Sequence, residues 1–310
     1  MSASSNTCAI CVQNVTKRYG NFTAVDDLSF EVRPGEIFAM LGPNGAGKTT
    51  TLRMILDILK PDVGSIEVLG APLTDATKDR IGYLPEERGL YRDVPVIDVL
   101  TYLAQLKGVP HAEAQQRTAA MLEQVGLGAN IKSKVSELSK GMQQKVQVIA
   151  TIIHRPDLVI IDEPFSGLDP VNTQMIKDIL YDLNRDGTTI VMSTHQMNHI
   201  EEMANRLLMI DYGRRVLYGS VLEVRERFAE NAVIVEGTGD WAALPGIRSV
   251  SLSDSGQEVT LHLNDGASPD AIMQAVATNP AYRVRRFELA IPSLTDIFIQ
   301  VAGNNHQNGG

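Results

Sequence analysis

The sequence predicts an α/β fold with a helical insertion and a second, smaller α+β domain. Through the middle of the chain, short apolar segments of strand length alternate with helical patterns, which is typical of a parallel sheet. A long stretch with helical periodicity interrupts this alternation. After about residue 230 the pattern changes to short strands with polar turns, which indicates a separate domain.

The chain opens with antiparallel β structure. Alternating apolar residues predict strands from Cys8 to Val15 and from Leu28 to Val32, and Pro34-Gly35 ends the second strand. Cys8 and Cys11 form a C-x-x-C pair, but the sequence has no second cysteine pair to complete a tetrahedral zinc site. We therefore expect two reduced thiols on a strand.

A strand, a loop and a helix come next, followed by the helical insertion. Ile37 to Leu41 has the pattern of a buried strand, and a helix is predicted from Thr49 to Leu59. The helical pattern resumes at Val96 and continues to about Ile153, which predicts a helical subdomain at about 92–156. Strands and helices then alternate as expected for a parallel sheet, at Leu158–Ile161, Asn172–Arg185, Thr189–Met192, Gln196–Asn205 and Leu207–Ile210.

The C-terminal part of the sequence predicts a linker helix at 220–230, an accessory α+β domain at 231–303 and a disordered tail at 304–310. A turn around Asp254-Ser255-Gly256 joins two of the expected strands, and Ser293-x-x-Asp296 is a capping box that starts the last helix. The expected strands and the helix between them are Ala232–Val235, Val250–Leu252, Val259–Leu263, Pro269–Ala277 and Tyr282–Leu289.

Composition and charge exclude several classes of protein. The formal net charge is −9, so the chain lacks the excess positive charge that attracts proteins to nucleic-acid phosphates. We therefore expect no nucleic-acid partner. No apolar run approaches the roughly 18 residues that cross a bilayer. The first 20 residues lack the basic start and apolar centre of a secretory signal, so we expect a cytoplasmic protein.

The strongest chemical signal is a phosphate-binding loop. The segment from Gly42 to Thr49 reads GPNGAGKT and matches G-x-x-x-x-G-K-[ST] between a predicted strand and a predicted helix. Glycines leave the backbone N–H groups free to surround phosphate oxygens, and the helix N-terminus adds positive charge. Lys48 supplies a cation to the β- and γ-phosphates, and Thr49 offers a hydroxyl to Mg²⁺. The predicted ATP-binding residues here are Gly42, Pro43, Asn44, Gly45, Ala46, Gly47, Lys48, Thr49 and Thr50.

An acid pair follows a predicted buried strand. Asp162 and Glu163 come directly after Ile161, at the carboxyl edge of the sheet, where α/β folds bind ligands. Asp162 would hold Mg²⁺, and Glu163 would accept a proton from the water that attacks the γ-phosphate. The alternative is an acid pair at a helix start, where carboxylates are also favoured. Together with Lys48, the acid pair favours the catalytic interpretation.

With these two motifs in place, the chain resembles the ATP-binding subunits of ABC transporters from about Ala9 to Tyr218. The resemblance implies a P-loop NTPase core with an antiparallel β subdomain and a helical subdomain, and we place this ATP-binding domain at 9–219. The family signature L-S-G-G-Q is replaced by L-S-K-G-M at 138–142. Ser139 and Gly141 still suit a γ-phosphate contact at a helix start, although Ser139 alone would be an ordinary N-cap.

Other positions match family motifs by resemblance. Ser166 to Asp169 matches the D-loop, His195 the switch histidine that contacts the γ-phosphate, and Tyr19 the aromatic residue that stacks on adenine. Alone, each would be a turn or cap residue. Glu86 stands where most members have the Q-loop glutamine, and its carboxylate can still bind Mg²⁺.

Two segments resemble an exporter branch of the family that includes sodium-extruding ATPases. They are the sequence E-E-R-G-L-Y at 86–91 and the segment from Pro292 to Phe298. This resemblance implies a Mg²⁺-dependent ATPase motor on the inner face of the membrane, with a separate membrane-spanning permease subunit. It also implies a homodimer, or a pair with another ATPase subunit, in which each ATP lies between two chains. Two alternatives stay open: a soluble ABC ATPase without a transport role, and a regulatory module that binds ATP without hydrolysing it.

Overall fold

The computed structural model describes residues 8–87, 89–253 and 258–307. These residues form two compact units, with the boundary between Val221 and Leu222. The predicted turn around Asp254-Ser255-Gly256 and the last three residues of the predicted tail lie outside the described residues. No helix in the described ranges has the length and apolarity needed to cross a membrane.

The first unit combines two sheets with seven helices in the part of the chain that is described. Its strands are β1 (Ile10–Tyr19), β2 (Phe22–Val32), β3 (Ile37–Leu41), β4 (Val63–Val68), β5 (Ile81–Leu84), β6 (Leu158–Asp162), β7 (Thr189–Ser193), β8 (Arg206–Asp211) and β9 (Arg214–Ser220). Its helices are α1 (Lys48–Ile55), α2 (Asp75–Lys78), α3 (Val96–Leu106), α4 (His111–Gln124), α5 (Lys140–Ile152), α6 (Pro170–Arg185) and α7 (Met197–Met203).

The larger sheet confirms the predicted α/β architecture. Its strand order is β5-β6-β7-β3-β8-β9, and its pairs are parallel except for the antiparallel edge pair β8–β9. A separate antiparallel sheet has the order β2-β1-β4. Every residue of β3, β6 and β7 is buried, which explains their continuous apolar sequences. The carboxyl ends of these three strands meet at one edge, and the loops that leave it carry the predicted chemistry.

The first helix after β3 is shorter than the sequence predicts. We expected it to reach Leu59, but α1 ends at Ile55. Asp57 adopts a left-handed conformation with φ of 58°, and the amides of Ile58 and Leu59 both donate to the carbonyl of Arg53. These bonds satisfy a carbonyl at the helix end, so the apolar residues beyond Asp57 continue as a turn.

The two cysteines differ from the expectation of reduced thiols. Cys8 and Cys11 are joined as a disulfide, with 5.9 Å between their Cα atoms. That separation lies in the normal range for a disulfide. It is possible because the chain bends at Ala9 before β1 begins at Ile10.

The second unit is a four-stranded antiparallel sheet with helices. Its order is β11-β12-β10-β13, and an apolar core that includes Trp241 packs between this sheet and α9. Its elements are α8 (Val221–Arg227), β10 (Ala232–Thr238), β11 (Ile247–Leu252), β12 (Glu258–Leu263), α9 (Pro269–Thr278), β13 (Arg283–Leu289) and α10 (Leu294–Gln307).

The last helix confirms the predicted capping box and extends further than expected. The amide of Ser293 donates to Asp296 Oδ2, and the amide of Asp296 donates to Ser293 Oγ, at 3.1 and 3.2 Å. We expected order to end at residue 303, but α10 continues to Gln307. Relative to Ala, residues such as Asn, His and Gln cost up to about 0.7 kcal/mol each in a helix and Gly303 about 1 kcal/mol, costs that are smaller than the cost of starting a new helix.

Candidate functional site

The phosphate-binding loop joins β3 to α1 and packs tightly against neighbouring backbone. A Cβ on Gly42 would lie 2.1 Å from the carbonyl oxygen of Ile210, and a Cβ on Gly47 would lie 2.5 Å from that of Ala24. Both glycines have positive φ, 152° and 106°. Only glycine fits these two positions, because a side chain would meet fixed backbone as well as an unfavourable conformation.

We expect Gly47→Ala to weaken ATP binding by more than about tenfold, because the loop must move away from Ala24 to make room. A matched control is Gly108→Ala, which also has a positive φ of 81° but has no atom within 4 Å of its Cβ position. The two variants should share the conformational cost of about 1–2 kcal/mol. Titration with a fluorescent ATP analogue measures the difference, and equal affinities in the two variants would contradict the packing argument.

Lys48 lies under the loop, and its ammonium group is hydrogen-bonded to loop carbonyls. The side chain is 7% exposed, and Nζ donates to the carbonyl oxygens of Gly42 and Pro43 at 2.7 and 3.1 Å. Burial lowers the pKa of Lys48, although attraction to Glu163, Asp162 and Glu86 partly opposes this shift. The cation therefore stands among three carboxylates.

Thr49 and Asp162 form an oxygen pair next to Lys48. Thr49 Oγ1 donates to Asp162 Oδ2 at 3.1 Å. Hydroxyl and carboxylate oxygens are the donors that Mg²⁺ prefers, so this pair fits the ion. No group of three or more His, Cys, Asp or Glu side chains that could hold a metal occurs in the described ranges. Nucleotide-bound Mg²⁺ does not need such a group, because phosphates and waters supply most of its ligands.

Glu163 is held from one side by the segment that follows β7. Its Oε2 accepts from Thr194 Oγ1 at 3.1 Å, and its Oε1 lies 3.1 Å from the backbone N of His195 and 2.7 Å from His195 Nδ1. An ionised carboxylate only accepts, so Nδ1 carries the proton in this pair. Glu163 also has a positive φ of 52°, an unfavourable conformation for a residue with a side chain. The carboxylate is therefore fixed in direction.

A cavity of about 470 Å³ brings most of the predicted residues together. The predicted residues that line it are Tyr19, Asn44, Gly45, Ala46, Gly47, Lys48, Thr49, Thr50, Glu86, Asp162, Glu163 and His195. Gly42 and Pro43 contribute through their carbonyl bonds to Lys48. Ser139 and Gly141 are not among the lining residues.

The sequence interpretation left out Phe22 and Ala24, which line this cavity, and Thr194, which contacts Glu163 without lining the cavity. Phe22 lines it beside Tyr19, and these two residues face each other across the tight β1–β2 turn. They are 61% and 47% exposed, so both rings are available to a planar ligand. An aromatic residue three positions after Tyr19, across Gly20-Asn21, was the available signal. The contact of Thr194 with Glu163 had no sequence signal beyond the adjacency of Thr194 to His195.

The signature segment forms the start of α5, outside this cavity. Ser139 is the N-cap of this helix, and its Oγ accepts from the amide of Met142 at 3.3 Å. Gly141 faces the start of α6, with its Cβ position 3.5 Å from Asn172 Nδ2. Gln144, on the next turn of α5, donates to the carbonyl of Pro164 at 3.3 Å. The signature helix is therefore tied to the segment after Glu163, while its N-terminus stays outside the cavity.

Known proteins are similar to both parts of this chain. Residues 25–166 match the family described as ABC transporter, and residues 219–302 match the C-terminal domain of DrrA1-3-like ATP-binding proteins. The ABC transporter ATP-binding protein YhaQ of Bacillus subtilis is 39% identical, covering 95% of this chain and 98% of that protein. The Nod factor export ATP-binding protein I of Ralstonia nicotianae is 32% identical, covering 96% and 95%.

A solved ATP-binding subunit of an ABC transporter has a TM-score of 0.67 and 30% identity, covering 71% of this chain and 93% of its own. This likeness supports the predicted P-loop NTPase fold, and the relatives extend the similarity across nearly the whole length. ATP binding and hydrolysis are properties of this ATPase family. The chain belongs to the family of ATP-binding subunits of ABC transporters.

Proposed function

We propose that the chain is the Mg²⁺-dependent motor subunit of an exporter whose membrane-spanning permease is a separate polypeptide. The observation that carries the motor role is the convergence of Lys48, Asp162, Glu163 and His195 on one cavity. The export direction is supported by the Nod factor export relative, whose similarity includes the C-terminal domain.

In this proposal, each group of site residues has a separate role in ATP binding and hydrolysis. The loop amides and Lys48 hold the β- and γ-phosphates, and Tyr19 with Phe22 stacks on the adenine. Thr49 and Asp162, with Glu86 from the loop after β5, would hold Mg²⁺, which neutralises phosphate charge when bound. Glu163 accepts the proton of the attacking water, and His195 and Thr194 fix the direction of its carboxylate.

A second copy of an ATPase subunit completes the site in this proposal. Ser139 and Gly141 do not line the cavity of their own chain, and the first turn of α5 carries no acidic residue to repel phosphate. We propose a head-to-tail homodimer, or a pair with a related subunit, in which the α5 start of one chain meets the γ-phosphate held by the other. ATP would close this dimer and hydrolysis would open it.

The permease is proposed to dock where the helical subdomain meets the core. A cavity of about 410 Å³ lies there, and it is lined mostly by apolar side chains and by Pro85 and Leu90, which flank the Glu86 loop. Leu106 lines the same cavity and is 58% exposed, and Tyr102 on the same helix is 47% exposed. An exposed apolar patch of this kind suits a protein partner. Docking here would hold the chain on the cytoplasmic face of the membrane.

Affinity purification of the tagged chain from detergent-solubilised native membranes tests this proposal. We expect a multi-spanning protein in near-stoichiometric amount, and Leu106→Glu should reduce its yield by about tenfold, because a charge cannot be buried unpaired in an apolar contact. The matched control is Val63→Glu, a similarly exposed apolar residue on β4. Recovery with ribosomal or DNA-associated proteins, or with none, would overturn the transport role and leave only the ATPase.

A further inference from the structure

Glu163 stands at the point where two segments leave the sheet in different directions. Its amide donates to the carbonyl of Ser193 at 2.9 Å, which is the last backbone bond between β6 and β7. Beyond this bond, one segment continues through Pro164 towards α6, and the other continues through His195 into α7. The hydrogen bonds from Thr194 and His195 to the Glu163 carboxylate therefore depend on how these two segments are held together.

A buried ring contact joins the two segments again. Phe165, two residues after Glu163, and His199, four residues after His195, have ring centroids 4.5 Å apart at an angle of 59°. Their exposures are 3% and 8%, so both rings are in the interior. Neither ring lines the nucleotide cavity. The contact cannot act on ATP directly and can act only through the residues that it holds.

Lys177 and Glu202 close this cluster from α6 and α7. Lys177 is 5% exposed, its Nζ lies 5.9 Å from the centre of the Phe165 ring, and it forms an ion pair with Glu202. The hydroxyl of Tyr181, also on α6, donates to the carbonyl of Glu202 at 3.1 Å. These contacts fix α7 to α6 around the two rings.

The imidazole of His199 packs as an uncharged ring. Burial, and then the nearby Lys177 cation, lower the pKa of His199, while Glu202 opposes the shift. Among the described residues, His199 Nδ1 has no hydrogen-bond partner. A buried polar atom without a partner costs free energy, and the packing of the imidazole on Phe165 offsets part of that cost.

We propose that His199, packed on Phe165, is a positioning residue for Glu163. The left-handed backbone of Glu163 needs its surroundings to hold it, because an isolated glutamate would leave that conformation. The Phe165–His199 contact holds the turn that contains Glu163 against the helix that follows His195. The three hydrogen bonds to the carboxylate then keep the direction required for proton transfer. This inference rests on the proposed catalytic role of Glu163.

The test compares steady-state hydrolysis by variants of the full chain. His199→Ala is expected to lower kcat by about tenfold with KM changed by less than about twofold, because positioning affects the chemical step and not ATP binding. His199→Phe restores a ring of similar size and should recover most of the lost turnover. Leu122→Ala, a fully buried residue of α4, controls for a general loss of stability, and thermal unfolding shows whether each variant is folded.

The Glu163→Gln background separates positioning from a purely structural role. If His199 acts through Glu163, then His199→Ala should add almost no further loss of kcat in that background. Three results would overturn the inference while leaving the proposed function intact. They are an equal fold-loss of kcat from His199→Ala in both backgrounds, a rise in KM as large as the fall in kcat, and wild-type turnover in His199→Ala. Wild-type turnover in Glu163→Gln alone would remove Glu163 from its proposed role as base, and this inference with it.

Discussion

Glu163→Gln is expected to lower ATP turnover by at least about a hundredfold while ATP affinity stays within about twofold. The amide has the same shape, and its oxygen can still accept the hydrogen bond from the backbone amide of His195 in the place of Oε1, whereas the NH2 group in the place of Oε2 can donate to the hydroxyl of Thr194. It cannot accept the proton of the attacking water, so the chemical step loses its base. Phosphate release measures turnover, and titration with a fluorescent ATP analogue measures binding.

The same variant tests the proposed dimer. If hydrolysis opens the closed pair, then Glu163→Gln should elute as a dimer with ATP and as a monomer without it, while the wild-type chain returns to monomer as ATP is consumed. Glu113→Gln is a suitable control, because Glu113 lies on α4 and pairs with Arg117. Wild-type turnover in Glu163→Gln would remove Glu163 from the role of base. Loss of turnover without an ATP-dependent dimer would reject the trapped pair and keep the catalytic role.

The elements that sequence analysis predicted best are those whose burial is uniform. The strand from Ile37 to Leu41 was predicted with the observed bounds, because a fully buried strand is a continuous apolar run. In contrast, β4 was missed because only Val68 is fully buried in it and its pattern does not alternate. The end of α1 was misplaced because the left-handed turn at Asp57 depends on backbone hydrogen bonds that side-chain periodicity does not record.

The same distinction applies to the candidate site. The phosphate-binding loop and the acid pair are contiguous motifs, so their residues could be named from the sequence and the fold places them in one cavity. Thr194 became a candidate only when the structure placed its hydroxyl on Glu163, because residues 31 positions apart meet through the pairing of β6 with β7. The Phe165–His199 contact is tertiary in the same way, since it joins two segments after they leave the sheet.

Lys48→Met is the second variant with a large expected effect, and it separates ligand binding from stability. Methionine keeps much of the apolar volume of lysine and removes the cation that the phosphates require. We expect ATP hydrolysis to fall by at least about a hundredfold and ATP affinity by more than about tenfold. The exposed Lys60, which pairs with Asp57, supplies the control Lys60→Met.

The thermal stability of Lys48→Met should not fall together with its ATP affinity. Because burial lowers the pKa of Lys48, the folded chain pays an electrostatic cost to keep this ammonium charged. The melting temperature without nucleotide should therefore not fall in Lys48→Met, whereas the rise that ATP produces in the wild-type chain should disappear, since that rise depends on ligand concentration relative to Kd. A melting temperature that falls without nucleotide, with the ATP-dependent rise retained, would mean that Lys48 stabilises the loop and leaves phosphate binding to the backbone amides.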